Sequence, residues 1–594
     1  MAVYLLKDTV RIDGATGLCL ETGESLPALD RLTLIAPRGG FASFQIIVDG
    51  KADAIDVSFS NLKGAGERNA SAFEAYVEWF HQKDGALIPD LLVPLGNQRL
   101  PFRVPLRETL PQKAGALWVD VYVPEDAQPG RYAAEAAVTV DGVKTILCIE
   151  LKAYATVLPR GSTITADLNN YADNISPNFP HLANNPNRYA DGSFNEVEAQ
   201  FVSMAREHRA LFHNLNYRHS GSVTPGFAPE LEGEGKNIRV KSWEAFDAHY
   251  APYFDGTLFE GSRVSEAPIE FCYLPFSFLW PANYEKWGQK GYKTECRRIL
   301  AEFIRHFEEK GWTKTVFDLL LNHKKDYRYV PYTVDEIWYE HDEESVDIFQ
   351  EVIEGILDHT DVKIVWRMDS SNHYGNHFEH RYADWCKMWV AGWLMLGWFP
   401  ESVAAMKNRG NILWLYGGVL REMDLPLTSV GVWPLTALMV GIDGFCAWNT
   451  TGFGEDYLTL PRASGGECIY YPGVEFGIDG PVPSIRLKAL RNAMQVADAA
   501  KTVSGAPEMR KIQAIINRNF GFNDMEDWFC KKPPFLHEPP RYWKFDESMG
   551  QYSHPPLNEG RSVDLIADIA DEVYALLSGE RPEKDIVKAG IVYQ

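Results

Sequence analysis

The sequence predicts an α/β protein: a (β/α)8 TIM-type barrel preceded by an N-terminal β-sandwich and followed by a small C-terminal extension. Three changes of texture predict it. Residues 1–157 carry short β-prone runs without long helical patterns. From 163 to 504 strand-like and helix-like stretches alternate. From 505 to 594 the chain carries Pro-rich segments and one last helical pattern.

In the first part, runs such as Ser43–Val48, Leu117–Val123 and Glu135–Val140 are punctuated by Asp-Gly and Pro-Gly turns, which favours paired strands in a sandwich. Leu158–Ser162 reads as a short linker. The middle part offers strands at 164–171, 212–218, 268–275, 315–323, 362–369, 390–396, 411–417 and 444–450. Helical stretches at 292–310, 343–358 and 484–503 fall between or after them. Val346, Phe349, Val352, Ile353 and Ile356 draw an apolar stripe along 343–358, and Asp342, Glu343 and Glu344 suit the positive end of its dipole. Eight such units close most simply into a barrel, whose chemistry sits where strands end and loops begin. A doubly wound open sheet alternates similarly, but no G-x-G-x-x-G turn follows any strand. In the tail, Lys531–Pro534 and Glu538–Pro540 predict an extended loop, and a last helix is expected from Val563 to Ser578.

Composition narrows the partners. With 58 basic against 81 acidic residues the net charge is −23, and no basic stripe appears, so nucleic acid is not expected. No stretch is apolar enough to suggest a membrane partner, and the opening residues lack a signal-peptide core, so the reading is cytoplasmic. The eight cysteines are scattered, without a C-x-x-C pair, and read as reduced thiols. His373, His377 and His380 lack the H-E-x-x-H pattern, so neither metal nor cofactor is expected. No G-x-S-x-G elbow and no P-loop occurs. Aromatic residues make up 13% of the chain, and their flat faces suit either a large core or sugar rings. Oligomeric state stays open, a homodimer included.

The strand Phe317–Leu321 runs into Asn322, His323 and Lys324, then Asp335, Glu336 and Trp338, before the 343–358 helix. Glycoside hydrolysis needs an acid for the leaving oxygen and a group that stabilises positive charge at the sugar. Neighbouring carboxylates push each other's proton affinities apart, so one can stay protonated. In a chain this acidic the Asp335-Glu336 dipeptide alone reads first as a solvated loop. The next strand ends in Arg367 and Asp369, which alternate onto one face and suit either hydroxyl recognition or a structural ion pair. Asn170 and Tyr171, Asn216 and Tyr217, Tyr416, and Trp448 and Asn449 end other strands in amides and rings. Together they make a candidate sugar pocket.

These residues give the chain a resemblance to family 123 glycoside hydrolases and the related family of large barrel glycoside hydrolases. Arg38–Gln45 resembles the R-x-E-x-x-S-F-Q stretch of the N-terminal sandwich, with Gly40 at the acidic position. Asn322-His323-Lys324 followed by Val334-Asp335-Glu336 resembles L-N-x-K then L-D-E-P, and Arg367–Ser371 is similar to R-x-D-x-S. Tyr471–Gly473 and Gly480–Leu487 resemble the entry to the last barrel helix. Ile337 departs from the usual Pro, and Arg491–Met494 from a more acidic stretch. The resemblance implies retaining, substrate-assisted cleavage of a β-linked N-acetylgalactosamine-like glycoside. Glu336 would be the acid and base, and Asp335 would hold the acetamido N–H. Two alternatives stand beside it. One is a glycosidase for sugars without an acetamido group, pairing Glu336 with Asp369 or Glu270. The other is a non-catalytic carbohydrate-binding barrel.

Overall fold

The structure is a computed structural model. It describes the chain except for residues 69–71, 172–173, 218–221, 284–285, 287–289, 322–341, 371–380, 393–394, 417–422, 424–425, 455, 460–467, 524–527, 529–543, 547–550, 554–561 and 584–594.

Two sheets come first. The inner sheet runs in the order Ala2–Lys7, Gly40–Asp49, Ala114–Val123, Phe73–Lys83, Ala86–Pro94, all antiparallel. The outer sheet is built on the hairpin Gly130–Val140 and Val143–Val157, flanked by Arg31–Arg38 and the short strands after Ile55. Strand 130–140 alternates buried and exposed positions over most of its length, as expected of a sheet with one wet face. Strand 114–123 is buried on both faces. Leu117, Val119 and Val121 join the main apolar core, while Trp118 packs with Leu427 and Ile485 on the far side.

The centre is an eight-stranded, all-parallel sheet that nearly closes into a barrel. In chain order its strands are Thr165–Tyr171, Leu211–Leu215, Phe271–Tyr273, Val316–Leu319, Lys363–Ser370, Met388–Gly392, Ile412–Tyr416 and Gly444–Ala447. Hydrogen bonding runs from the third strand round through the fourth to the eighth, then to the first and second. Close approach is needed at Gly444, where a Cβ would stand 2.5 Å from the Thr165 carbonyl oxygen and 2.8 Å from the Trp414 ring. Each strand overlaps the stretch expected from sequence, and the helices Lys290–Lys310, Glu343–Ile353 and Ile485–Lys501 fall where helical periodicity placed them.

Helix 485–501 fastens the barrel to the inner sheet through buried charge. Arg491 gives Asp120 two contacts of 2.8 Å and Lys488 a third. Burial pushes the Asp120 carboxyl up, but Arg491 and Lys488 outweigh it and hold it well below the usual range. Arg486 pairs with Asp90 at 2.7 Å, and Asn492 reaches Asp8 at 2.8 Å. The Arg491-Asn492 departure thus meets acidic partners in the N-terminal region, Asp120 on the inner sheet and Asp8 just past its first strand. The last helix, Leu565–Ser578, lies against strand 143–157 and against helices 485–501 and Pro507–Phe520. Part of the Pro-rich tail forms a two-stranded hairpin, Lys544–Asp546 with Gln551–Ser553. Every described cysteine is a free thiol, and no described helix is long and apolar enough to cross a membrane.

Candidate active site

Charged residues in the middle of apolar strands converge inside the barrel. Asp167 of the first strand, His213 of the second, Asp318 of the fourth and Arg367 of the fifth are all buried. His213 lies between two carboxylates, Nδ1 at 3.1 Å from Asp167 and Nε2 at 3.4 Å from Asp318. Its ring stacks on Tyr273 at 3.7 Å and 10°. Arg367 Nη1 stands 3.5 Å from Asp167 and 3.4 Å from Asp318. Burial would lower the His213 pKa, but Asp318 and Asp167 overcome it and raise it. Burial would raise Asp167, yet His213 and Arg367 bring it below the ordinary carboxylate value. The cluster therefore favours an imidazolium and a guanidinium set among carboxylates.

Arg367 also turns toward the strand end. Its Nε and Nη2 hold the two oxygens of Asp369 at 2.7 and 3.1 Å. The Asp369 side chain keeps 19% exposure, so this carboxylate sits at the edge between the buried cluster and solvent. Alternation along one strand produces this arrangement, with the deeper residue buried and the next one at the mouth. Tyr273 and Trp414 flank the guanidinium at 5.1 and 5.5 Å. Tyr171 and Trp448 meet edge to face at 4.8 Å.

The remaining expected residues fall into three groups. Tyr416, Trp448 and Asn449 are half-buried at the ends of the seventh and eighth strands, with Asn449 in the left-handed region at φ 58° and bonded to Asn174 at 2.6 Å. Asn170, Asn216 and Tyr217 are buried, with polar atoms bonded inside the protein. Asn170 binds the Leu168 carbonyl and Thr450, Asn216 binds the Tyr273 carbonyl and Tyr250, and Tyr217 donates to the Leu320 carbonyl. They shape the framework under the mouth. Asp335, Glu336, Asn322, His323, Lys324 and Trp338 lie outside the described residues, as do His373, His377 and His380. Glu270 precedes the third strand, at the opposite end from the mouth, and is bonded to Arg206 at 2.7 Å.

Sequence reasoning missed Asp167, His213 and Asp318. Their signal was present: an ionisable residue in the centre of a short apolar strand requires a buried partner. Among the described residues no group of His, Cys, Asp and Glu is arranged to hold a metal ion.

No family model matches the chain, and no curated protein matches it. Among solved structures, the fold is similar to that of a family 123 glycoside hydrolase from Clostridium perfringens, solved in work on glycolipid glycan hydrolysis. The match covers 97% of this chain and 98% of that one, with a TM-score of 0.64 and 13% identity. A calcium-binding mutant of β-glucuronidase 2 from Bacteroides uniformis aligns over 73% of this chain and 46% of its own, with a TM-score of 0.29 and 11% identity. A β-glucuronidase from Parabacteroides merdae aligns over 69% and 45%, with a TM-score of 0.24 and 10% identity. The full-length likeness to the family 123 enzyme establishes a shared fold, sheets and barrel together.

Proposed function

We propose that this protein is a glycoside hydrolase that cleaves a β-linked N-acetylhexosamine, N-acetylgalactosamine-like, with retention and with help from the substrate's own acetamido group. The observation that carries the reading is a full-length fold shared with a family 123 glycoside hydrolase, combined with an acidic residue poised at the barrel mouth, Asp369 on its Arg367 clamp. In this reading residues 1–157 are a β-sandwich, 163–504 a (β/α)8 catalytic barrel and 505–594 an extension.

Asp335 and Glu336 fall in sequence between the fourth strand and helix 343–353, which in a (β/α)8 barrel is a connection on the catalytic side. Glu336 would donate its proton to the leaving oxygen as the acetamido oxygen bonds to the anomeric carbon, giving an oxazolinium. It would then take a proton from the water that opens that ring, restoring both the acid and the β configuration. Asp335 would accept the acetamido N–H and balance its positive charge. General acid–base help of this kind contributes roughly 10²–10⁴-fold. Asp369 would accept a sugar hydroxyl.

The test compares aryl β-N-acetylgalactosaminide with aryl β-galactoside. Wild type should cleave only the first, and Glu336→Gln should lose most of that rate. Clean turnover of the glycoside bearing a 2-hydroxyl would instead favour a nucleophilic pair of Glu336 with Asp369.

A further inference from the structure

A cavity of about 110 Å³ lies away from the barrel centre, where the N-terminal sheets, helices Leu427–Val440 and 485–501, and the C-terminal helix meet. Leu34, Phe41, Leu427, Ile566 and Ala570 give it mainly apolar walls. Most polar groups at its edge are already committed. Gln495 bonds the backbone of Phe41 in both directions at 2.6 and 3.0 Å, Ser43 donates to Asp120 at 2.7 Å, and the Lys7 ammonium lies 3.1 Å from Asp564. Asp8 differs. One of its oxygens accepts from Asn492, while the other takes no hydrogen bond from another residue among the described residues. Its side chain, partly accessible, lines the cavity. Burial, opposed by Asn492 and Lys7, pushes this carboxyl up to about 6, as expected of a carboxylate that lacks a full set of donors.

We propose that this cavity binds a small organic cation, a primary ammonium on a short apolar stem, with the ammonium on Asp8 and the stem against Leu34, Phe41, Leu427 and Ile566. Apolar walls with one oriented polar group define such a ligand. A sugar would leave hydroxyls facing hydrocarbon, and a carboxylate would meet Asp8 while the nearby Lys7 charge is already matched by Asp564. Size sets the stem: an apolar cavity of about 150 Å³ holds benzene, so this one suits roughly five heavy atoms. None of these residues belongs to the barrel-centre cluster, so the cavity would take its cation whether or not the barrel is a hydrolase.

The test uses the full-length protein at pH 7.5 and constant ionic strength, with calorimetric titration of n-butylammonium, n-butanol and n-butyrate. Butylammonium should bind saturably, with a Kd in the roughly millimolar range that five heavy atoms allow. It should bind about ten-fold more tightly than butanol, and butyrate should not bind. Asp8→Asn should weaken butylammonium about ten-fold and leave butanol unchanged, and Ala570→Phe should abolish both. Equal affinity for butylammonium and butanol, or full binding by a folded Asp8→Asn, overturns the proposal. Should Asp8→Asn fail to fold, the charge series on the wild type decides alone.

Discussion

Arg367 holds Asp369 through two contacts from adjacent guanidinium nitrogens, at 2.7 and 3.1 Å, across alternate residues of one strand. The same guanidinium reaches Asp167 and Asp318 with its third nitrogen. A single planar cation thus links three carboxylates, two of them buried and one at the mouth. Arginine suits this role because its fork is rigid and it stays charged.

Asp369→Asn should separate recognition from framework. Arg367 would keep Asp167 and Asp318, so the fold should be retained, but the mouth would lose its charged acceptor. A hydrogen bond to a charged group is worth about 1.5–3 kcal/mol, so under the proposed function KM for the aryl N-acetylgalactosaminide should rise about ten-fold or more, with kcat changed less. Steady-state kinetics check this. An unchanged KM would mean that Asp369 does not touch the sugar.

His213→Phe should preserve stacking on Tyr273 while removing the charge between Asp167 and Asp318. Breaking a buried pair costs about 3–5 kcal/mol, because the remaining charge is left uncompensated. The pH dependence has a defined sign. Asp318 and Asp167 hold the folded His213 pKa above its ordinary 6.5 despite burial. Its contribution is therefore complete below about 6.5 and is lost as pH rises through the folded value. Urea unfolding should show a larger wild-type advantage over His213→Phe at pH 6 than at pH 9.

The barrel was legible because its eight strands are short apolar runs separated by helical stretches, two periods that sequence distinguishes well. Arg367 and Asp369 were legible for a related reason, since polar alternation at a strand end is a local pattern. Asp167, His213 and Asp318 were harder to find, because each is a lone ionisable residue whose partners come from other strands. Burial decided the amides: Asn170 and Asn216 look like sugar-binding groups in sequence, yet both bond within the protein. Asn492 could not be read at all without Asp8, which lies 484 residues away.

The N-terminal region also reaches the chain that follows each of the last two barrel strands, through Arg11 beyond its first strand and Trp79 on the inner sheet. The buried Arg11, paired with Glu21 at 2.9 Å, donates to the Met423 carbonyl at 2.7 Å, and the Trp79 indole donates to the Leu458 carbonyl at 2.8 Å. Trp79→Phe removes one hydrogen bond, worth about 0.5–1.5 kcal/mol, and keeps the packing. Hydrogen exchange should rise in residues 448–459 while Tm moves by only a few degrees. Unchanged exchange there would show that the loop is held by other contacts.

Glu78 is fully buried on strand 73–83, and neither carboxyl oxygen has a hydrogen-bond partner among the described residues. Burial raises its pKa from 4.5 to about 8, against an opposing pull from Arg11. Between those values the folded chain keeps a proton that the unfolded chain releases, so stability is highest below about 4.5 and declines as pH rises toward 8. Nearby His81 acts in the opposite sense: burial lowers it to about 3, and stability falls as pH drops below 6.5. The His81 effect is common to wild type and Glu78→Gln, so it cancels in their difference. Raising the pH from 5.5 to 8.5 should therefore cost wild type on the order of 3 kcal/mol more than Glu78→Gln, because each ten-fold difference in proton affinity between folded and unfolded chain is worth about 1.4 kcal/mol. Urea midpoints at the two pH values measure it. Parallel pH dependences would mean that Glu78 is already ionised in the fold, held so by the Arg11 charge that opposes its burial.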